Sequence, residues 1–330
     1  MGAEKIQYVI AMTIYIASVI AIGFHYAKKA SESTDNFLIG GRSLGPWVTA
    51  MAAEASDMSG WLLMGLPGVA YWSGLSEALW TAVGLLIGTY LNWLIVAKRL
   101  RTYSIVAGDA ITIPDFLSNR FKEKKKIILT IAALFILVFF CVYAASCFVA
   151  VGKLFSTLFD ADYVYMMILG AVFVVAYTFI GGFLAESASD FMQGIIMFFA
   201  LSVVLVTGIV KTGGISQLIE NAKNIPGYLE FFGIAQPAVA DGVQQISETG
   251  KPLFEEAAKY GFLAVISTLS WGLGYFGMPQ VLLKFMAIKN PNELKLSRRI
   301  ASVWCAISLL AAVSIGIIGR ILYPDALRTA

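Results

Sequence analysis

Two carboxylates, Glu54 and Asp57, lie in the apolar stretch 52–68, which reads AAEASDMSGWLLMGLPG. Four residues that weaken helices interrupt the same stretch: Gly60, Gly65, Pro67 and Gly68. A carboxylate at the centre of a bilayer costs about 2.5 to 3.5 kcal/mol, so it persists only where it faces protein, water or an ion. The stretch therefore predicts a binding site inside a membrane rather than a plain helix.

A second interrupted stretch, 267–279, reads STLSWGLGYFGMP and contains glycines, a proline and two large aromatic residues with polar tips. Paired interrupted helices in matching positions of two halves mark the midplane binding site of a membrane transporter. The two stretches fall in the second and seventh predicted spans, and this odd separation inverts one relative to the other, as an inverted repeat requires. Two structural interpretations stay open: packing and kinking by glycine, serine and proline, and capping of a half-helix by Asp57.

The chemistry at such breaks follows from the exposed backbone. Carbonyl oxygens of an unwound turn are hard ligands suited to a cation such as sodium, and the free amides of the next half-helix attract a carboxylate. Asp57 has no lysine or arginine in its own span, so its counter-charge comes from another helix, a proton or a bound cation. Trp271 and Tyr275 are spaced i, i+4 and are predicted to share one helix face over a small ring. These features predict a site for an ion beside an amino acid.

The elements that hold these residues are predicted to be transmembrane helices. Hydrophobic residues make up 58% of the chain and the mean hydropathy is +0.77, which excludes a soluble globular domain. Eight apolar stretches reach the ~20 residues that a spanning helix needs: 6–27, 48–71, 75–97, 127–151, 163–183, 188–211, 260–285 and 299–322. The predicted fold class is an all-α integral membrane protein.

Lysine and arginine are unevenly distributed among the predicted loops. If the amino terminus is outside, about two thirds of the 24 basic residues lie inside, as the preference of positive residues for cytoplasmic loops requires. We therefore predict a multi-pass protein of the cell membrane with its amino terminus outside. The net charge of +3 is too small to indicate a nucleic-acid partner. Residues 212–259 are predicted to form an outer loop or lid, because they hold too few core-forming positions for a separate domain.

The sequence does not predict redox or metal chemistry. His25 is the only histidine, and the cysteines form no CxxC pair and fall within predicted spans. These features argue against histidine-ligated haem, a zinc site and a disulfide framework. We therefore predict that the chain is not an enzyme, and we assign no catalytic residue.

Three further carboxylates have two interpretations each. Glu54 is either a proton-carrying partner of Asp57 or a residue that faces an inner water-filled vestibule. Glu77 lies near the outer end of the third span, where it is either solvated or functional. Residues 181–190, GGFLAESASD, are predicted to form the turn between the fifth and sixth spans, where Asp190 either caps the sixth span or has a functional role.

Five segments together resemble the sodium/proline symporters of the sodium/solute symporter family: SDMSGWLLMGLPG, GGRSLGP, YTFIGGFLA, WGLGYFGMP and KFMAIKNPNELKLSRRI. The resemblance implies sodium-coupled import of L-proline by alternating access, with the lipid bilayer as surroundings and no obligate protein partner. It also implies a LeuT-like fold of two inverted five-helix repeats. In that fold 6–27 is an extra first helix, 48–211 is the first repeat, and 260–322 provides the first two helices of the second repeat.

The resemblance also implies roles for single residues. The implied sodium-linked residues are Asp57, its backbone neighbours Ala55 and Met58, and the inner carboxylate Asp190. The implied residues for the solute and its coupling to sodium are Ser59, Trp61, Gly65, Trp271, Tyr275 and Pro279. Arg42 matches a functionally sensitive position in the inner loop.

The family has more spans than the eight predicted here, among them the helix whose hydroxyls complete the sodium site. We therefore expect residues 1–330 alone not to transport, because the cation site lacks ligands and helix faces lack partners. Two other functions stay open: a symporter for another small solute or driven by protons, and a transporter-like membrane sensor. The sensor requires a signalling domain, for which these residues show no pattern.

Overall fold

The computed structural model describes residues 3–248 and 250–327. In chain order the α-helices are α1 (Ala3–Ala30), α2 (Thr34–Ile39), α3 (Pro46–Gly60), α4 (Leu66–Ser73), α5 (Leu75–Asn92), α6 (Lys98–Val106), α7 (Ile113–Arg120), α8 (Ile127–Phe159), α9 (Tyr163–Lys211), α10 (Ile215–Lys223), α11 (Phe262–Leu269), α12 (Trp271–Gly274), α13 (Pro279–Ala287) and α14 (Leu294–Leu322). Two π-helical segments, Trp61–Gly65 and Trp93–Ala97, join α3 to α4 and α5 to α6. Short 3-10 segments are Gly40–Arg42, Tyr275–Gly277 and Pro291–Glu293.

The segment 212–259, predicted to be an outer loop, contributes the strands. β1 (Gly233–Ile234) pairs antiparallel with β4 (Ala258–Lys259), with Gly233 opposite Lys259. β2 (Val239–Ala240) pairs antiparallel with β3 (Val243–Gln244), with Val239 opposite Gln244. These two-residue strands leave the molecule predominantly helical, in agreement with the predicted all-α class.

Five helical segments among the described residues are long and apolar enough to span a membrane: Lys5–Ala30, Leu75–Val106, Ile127–Phe159, Tyr163–Lys211 and Pro291–Leu322. A sixth candidate results if Phe262–Gly277 and Pro279–Ala287 together form one broken span. The second predicted span, 48–71, is absent from this set because its backbone breaks at Ser59. The fifth and sixth predicted spans lie in the 49-residue α9, whose length of about 74 Å is more than twice the bilayer core. The count of eight spans remains a prediction.

The predicted turn at 181–190 is wrong in its extent. Only Gly182 leaves the helical conformation, with φ 59° and ψ −157°, a region that glycine enters without steric cost. Asp190 therefore lies inside α9, eight residues after the break, where the backbone amides are already engaged in the helix. The interpretation of Asp190 as a helix cap is also wrong.

The chain divides into two compact units. Unit 1 comprises the described residues of Met1–Asp57, Trp93–Gly194 and Met278–Ile300; unit 2 comprises those of Met58–Asn92, Ile195–Gly277 and Ala301–Ala330. Each of the two interrupted stretches found in the sequence contains a boundary between these units.

Unit 1 is built around α13, which buries Phe285, Met286 and Lys284. The backbone at the end of α13 pairs with the loop before α3: the Leu44 amide donates to the Ala287 carbonyl at 3.1 Å, and the Lys289 amide donates to the Leu44 carbonyl at 2.9 Å. This pairing fixes the end of α13 to the loop that leads into α3.

Unit 2 is built around α5, which packs on α4, α11 and α12. Gly272 of α12 lies directly on Gly84 and Gly88 of α5, so that a Cβ atom at position 272 would collide with the Gly84 carbonyl. Glycine at these positions lets the two backbones touch, and this contact sets the position of the second interrupted stretch.

Candidate functional site

The first interrupted stretch breaks at Ser59, which adopts φ 45° and ψ −157° inside α3. Gly60 and Gly65 keep helical angles, so the break falls on a serine rather than on the predicted glycines. Positive φ in a non-glycine residue carries a strain of order 1 to 3 kcal/mol and is concentrated at functional sites. A residue with these angles also interrupts the helical hydrogen-bond ladder, which exposes backbone polar groups.

The sodium-linked residues implied by the resemblance lie just before and at this break, apart from Asp190. Ala55 and Met58 are buried, and the Asp57 side chain is half-buried. Asp57 belongs to α3 and precedes the strained residue by two positions. The alternative role of Asp57 as a cap stays a prediction, and at the break itself the Trp61 amide donates to Ser59 Oγ at 3.4 Å.

Within unit 2, the two interrupted stretches meet through aromatic rings. The ring centroids of Trp61 and Trp271 are 5.1 Å apart, with the ring planes inclined by 31°. Trp271 is 53% exposed, so one side of the pair is open. Gly65 lies beneath Trp61: a Cβ atom there would be 2.7 Å from Trp61 Cδ1. The structure therefore brings together three of the predicted solute residues.

Tyr275 does not join Trp271 on one exposed face. α12 has only four residues and continues as a 3-10 segment, in which an i, i+4 pair no longer aligns. The Tyr275 side chain is 2% exposed, and its carbonyl accepts a hydrogen bond from Asn92 Nδ2 at 2.9 Å. Sequence reasoning missed Asn92, although a lone amide near the end of an apolar helix is a usable signal.

Pro279 is the first residue of α13 and belongs to unit 1. Met278 before it is extended, with ψ 106°, as expected for a residue that precedes proline. The next side chain, Gln280, has both amide atoms buried, and neither has a hydrogen-bond partner among the described residues. Sequence reasoning missed this polar group beside Pro279.

Glu54 lies in the interior of unit 1. It is 0% exposed, and its Oε1 atom accepts a hydrogen bond from the Trp93 indole at 3.2 Å. The Trp93 ring packs against Phe285 of α13 with centroids 4.4 Å apart. The interpretation that Glu54 faces a water-filled vestibule is therefore wrong in this structure.

Asp190 is part of a buried ion cluster in unit 1 that the sequence did not reveal. Lys284 of α13 donates to Glu186, to Ser187 Oγ at 2.8 Å and to Asp190 Oδ2 at 3.3 Å. The Phe183 ring centroid lies 4.6 Å from the same nitrogen. Glu186 and Asp190 are spaced i, i+4 and so share a face of α9, but their partner is 94 or more residues away in the chain.

Arg42 connects several segments of unit 1. Its Nη1 atom donates to Ser104 Oγ at 3.1 Å and to the Met286 carbonyl at 2.9 Å. Its Nη2 atom donates to Asp109 Oδ1 and to the Ala110 carbonyl, both at 2.9 Å. These bonds connect the loop before α3, α6 with the segment after it, and the carboxyl end of α13, which gives the predicted sensitivity of this position a structural basis.

The segment 212–259 is bonded to the rest of unit 2. Tyr228 is fully buried, which raises the pKa of its hydroxyl, so it stays protonated and donates to the Ala70 carbonyl at 2.8 Å. Arg320 is 2% exposed and donates to Gln244 Oε1 at 2.9 Å. Its guanidinium lies 4.9 Å from the ring of Tyr71. This segment is therefore anchored to α4 and α14 at several points.

The sequence model of the sodium:solute symporter family matches residues 37–330. The chain belongs to the sodium:solute symporter family. The family consists of transporters, so the predictions of a multi-pass membrane protein and of no enzymatic activity are confirmed.

Two relatives are named sodium/proline symporters, from Staphylococcus aureus strains USA300 and JH9. Each is 41% identical to this symporter-family chain over 318 residues, which cover 96% of this chain and 57% of the relative. The chain thus spans somewhat more than half the length of these relatives. The resemblance drawn from the five sequence segments is confirmed at the level of the family.

A solved structure of a Na+-coupled sialic acid symporter, in a substrate-bound outward-open state, has a similar fold. Its TM-score with this symporter-family chain is 0.75 at 17% identity, covering 97% of this chain and 62% of the other. At this identity the likeness concerns the fold.

Proposed function

We propose that the protein imports L-proline together with sodium by alternating access. The observation that carries the proposal is the meeting of the two interrupted stretches at Trp61 and Trp271, next to a backbone break that follows a carboxylate. The sequence relationship to sodium/proline symporters supports the choice of ion and solute.

The proposed sodium ligands are the Asp57 carboxylate and the backbone of Ala55 and Met58 beside the break. Carboxylate and carbonyl oxygens are the donors that hard cations prefer, and the break at Ser59 supplies carbonyls that a regular helix would engage. Asp190 is proposed as a second, inner carboxylate that binds sodium on its way to release.

The proposed solute residues are Ser59, Trp61, Gly65, Trp271, Tyr275 and Pro279. The open side of the Trp61 and Trp271 pair offers an apolar, rigid surface of the kind that packs on a pyrrolidine ring. Backbone amides freed after the break attract the solute carboxylate, because the amino end of a half-helix carries partial positive charge.

We further propose a LeuT-like organisation, in which 48–211 forms the first five-helix repeat and 260–322 begins the second. The amino terminus lies outside in this arrangement. The inversion between the repeats then relates the break at Ser59 to the break between Gly277 and Pro279.

Uptake of labelled L-proline into proteoliposomes tests the proposal on the full-length protein, since residues 1–330 alone are expected not to transport. We expect uptake to require an inward sodium gradient and to disappear when choline replaces sodium. Asp57→Asn removes one charged ligand, worth about 1.5 to 3 kcal/mol, and is expected to raise half-saturating sodium by about 10- to 100-fold. The matched control is Asp160→Asn, which changes an exposed carboxylate in a left-handed position that asparagine tolerates.

Equal uptake with sodium and choline would contradict the proposal. If sodium drives uptake of a different small solute, and proline does not compete, the ion assignment stands and the choice of proline is wrong. A proton gradient that replaces the sodium gradient would instead assign Asp57 to proton coupling.

A further inference from the structure

The cluster around Lys284 uses the full bonding capacity of a buried ammonium group. The Lys284 side chain is 1% exposed. Its nitrogen has three hydrogens, and three acceptors surround it: Glu186, Ser187 and Asp190. Lys284 therefore contacts both carboxylates at once.

The charges in this cluster do not cancel when both carboxylates are ionised. Lys284 then provides one positive charge, whereas Glu186 and Asp190 provide two negative charges. Asp190 is 7% exposed and the ring of Phe183 faces Lys284, whereas the Glu186 side chain is 27% exposed, so water reaches Glu186 and compensates little of the charge at Asp190. A buried negative charge without a counter-charge is costly, so the cluster keeps affinity for one more monovalent cation.

The position of Lys284 is set by contacts at the carboxyl end of α13. Arg42 Nη1 donates to the Met286 carbonyl, and Arg101 Nε donates to the Ile288 carbonyl at 2.7 Å. Leu44 pairs with the backbone of the same segment. Lys284 is therefore held on a helix end that the inner loop fixes, and it is not a freely moving surface lysine.

We propose that Lys284 is a resident cation that competes with sodium for the Asp190 carboxylate and so limits how tightly the inner carboxylate holds the ion. The inference rests on the sodium role proposed for Asp190. Lys284 thus acts through Asp190 as a positioning residue that promotes the release of sodium on the inner side.

Charge-balanced variants test this role. Glu186→Gln leaves Lys284 paired with Asp190 alone, which makes the cluster neutral. The double variant Glu186→Gln with Lys284→Gln restores the original net charge and leaves Asp190 without a resident cation. Lys295→Gln, which removes an exposed lysine of α14, is the matched control.

We expect the second substitution to reverse the effect of the first. Half-saturating sodium rises about tenfold above the wild-type value in Glu186→Gln, and in the double variant it falls back to or below the wild-type value. Each change corresponds to the free energy of about one charge-assisted hydrogen bond. Two quantities are measured for each variant: proline uptake, and the midpoint temperature of thermal unfolding of the purified protein in mixtures of sodium and choline. A purely structural cluster would not reverse the sign between the variants.

Sodium dependence that shifts equally in both variants, or in neither, overturns the proposal. The unfolding measurement separates this outcome from failure of the proposed function. If wild-type uptake does not depend on sodium, the transport proposal fails. Competition between Lys284 and sodium is still supported if sodium stabilises the double variant more than it stabilises Glu186→Gln. Equal stabilisation of the two variants refutes the competition.

Discussion

At the scale of single residues, Ser59 and Gly65 shape the first interrupted stretch in different ways. Ser59 takes the strained conformation that ends the regular helix after Asp57. Gly65 leaves room for the Trp61 ring, which packs on Trp271. One residue thus exposes backbone polar groups, and the other sets the orientation of an aromatic surface.

Gly65→Ala is expected to weaken solute binding. The added Cβ atom would lie 2.7 Å from Trp61 Cδ1, so the ring has to rotate away from Trp271. Loss of an aromatic pair costs about 0.5 to 1.5 kcal/mol, which corresponds to a two- to tenfold higher half-saturating proline concentration. The measurement is proline uptake at saturating sodium.

Gly68→Ala is the matched control, since a Cβ atom at that position meets nothing within 4 Å. It lies in the same stretch and makes the same chemical change. Equal half-saturation values in the two variants would show that the Trp61 orientation does not matter for the solute.

At the scale of elements, the contact between α5 and α12 positions the second interrupted stretch. Gly84 and Gly88 on one helix face Gly272 on the other, and all three bring backbone against backbone. Asn92, at the end of α5, bonds to the Tyr275 carbonyl and so satisfies a group near the break. The short α12 is therefore held by backbone contact with α5 and by this hydrogen bond.

Gly272→Ala is expected to destabilise the protein by about 1 to 3 kcal/mol, the usual cost of overpacking. The new methyl group meets the backbone of Gly84 and Gly88, which no side-chain rotation can relieve. Thermal unfolding in detergent measures the effect as a lower midpoint temperature.

Gly274→Ala serves as the comparison, because a Cβ atom there meets nothing within 4 Å. We expect its midpoint temperature to match that of the wild type. A Gly272→Ala protein as stable as this control would mean that α12 does not depend on close contact with α5.

At the scale of the whole molecule, topology is decided by loop charges. The basic loop before α8 contains Lys122, Lys124, Lys125 and Lys126, whereas the segment 212–259 is rich in carboxylates. Because positive residues are retained on the cytoplasmic side, we expect the basic loop inside and the segment 212–259 outside.

Cysteine labelling in intact cells tests this orientation. In a background with serine replacing Cys141, Cys147 and Cys305, we expect a membrane-impermeant maleimide to label Glu248→Cys and not Lys124→Cys. Both positions are exposed, so accessibility within the protein does not distinguish them. After the cells are permeabilised, both variants should react. Labelling of Lys124→Cys alone in intact cells would show that the topology is the opposite of the one predicted.

Much of the fold was predictable because it depends on local composition. The apolar spans, the interruption near Asp57 and the break before Pro279 all follow from residue types within about 20 positions of each other, the length of one membrane helix. The family resemblance depends on the same local segments. For these features no long-range contact has to be known.

Other features depended on the tertiary structure, because their partners are distant in the chain. Only the fold places Lys284 against Asp190, which is 94 residues away, and Trp93 against Glu54. Local backbone angles were also not predicted from the sequence. The break falls on Ser59 and not on the neighbouring glycines, and Gly182 alone is non-helical where a ten-residue turn was predicted. The sequence by itself thus predicted that carboxylates lie within membrane segments, whereas the tertiary structure decided which charges and aromatic rings neighbour them. The physical reason is that burial and pairing of such groups are set by packing between helices and not by their order in the chain.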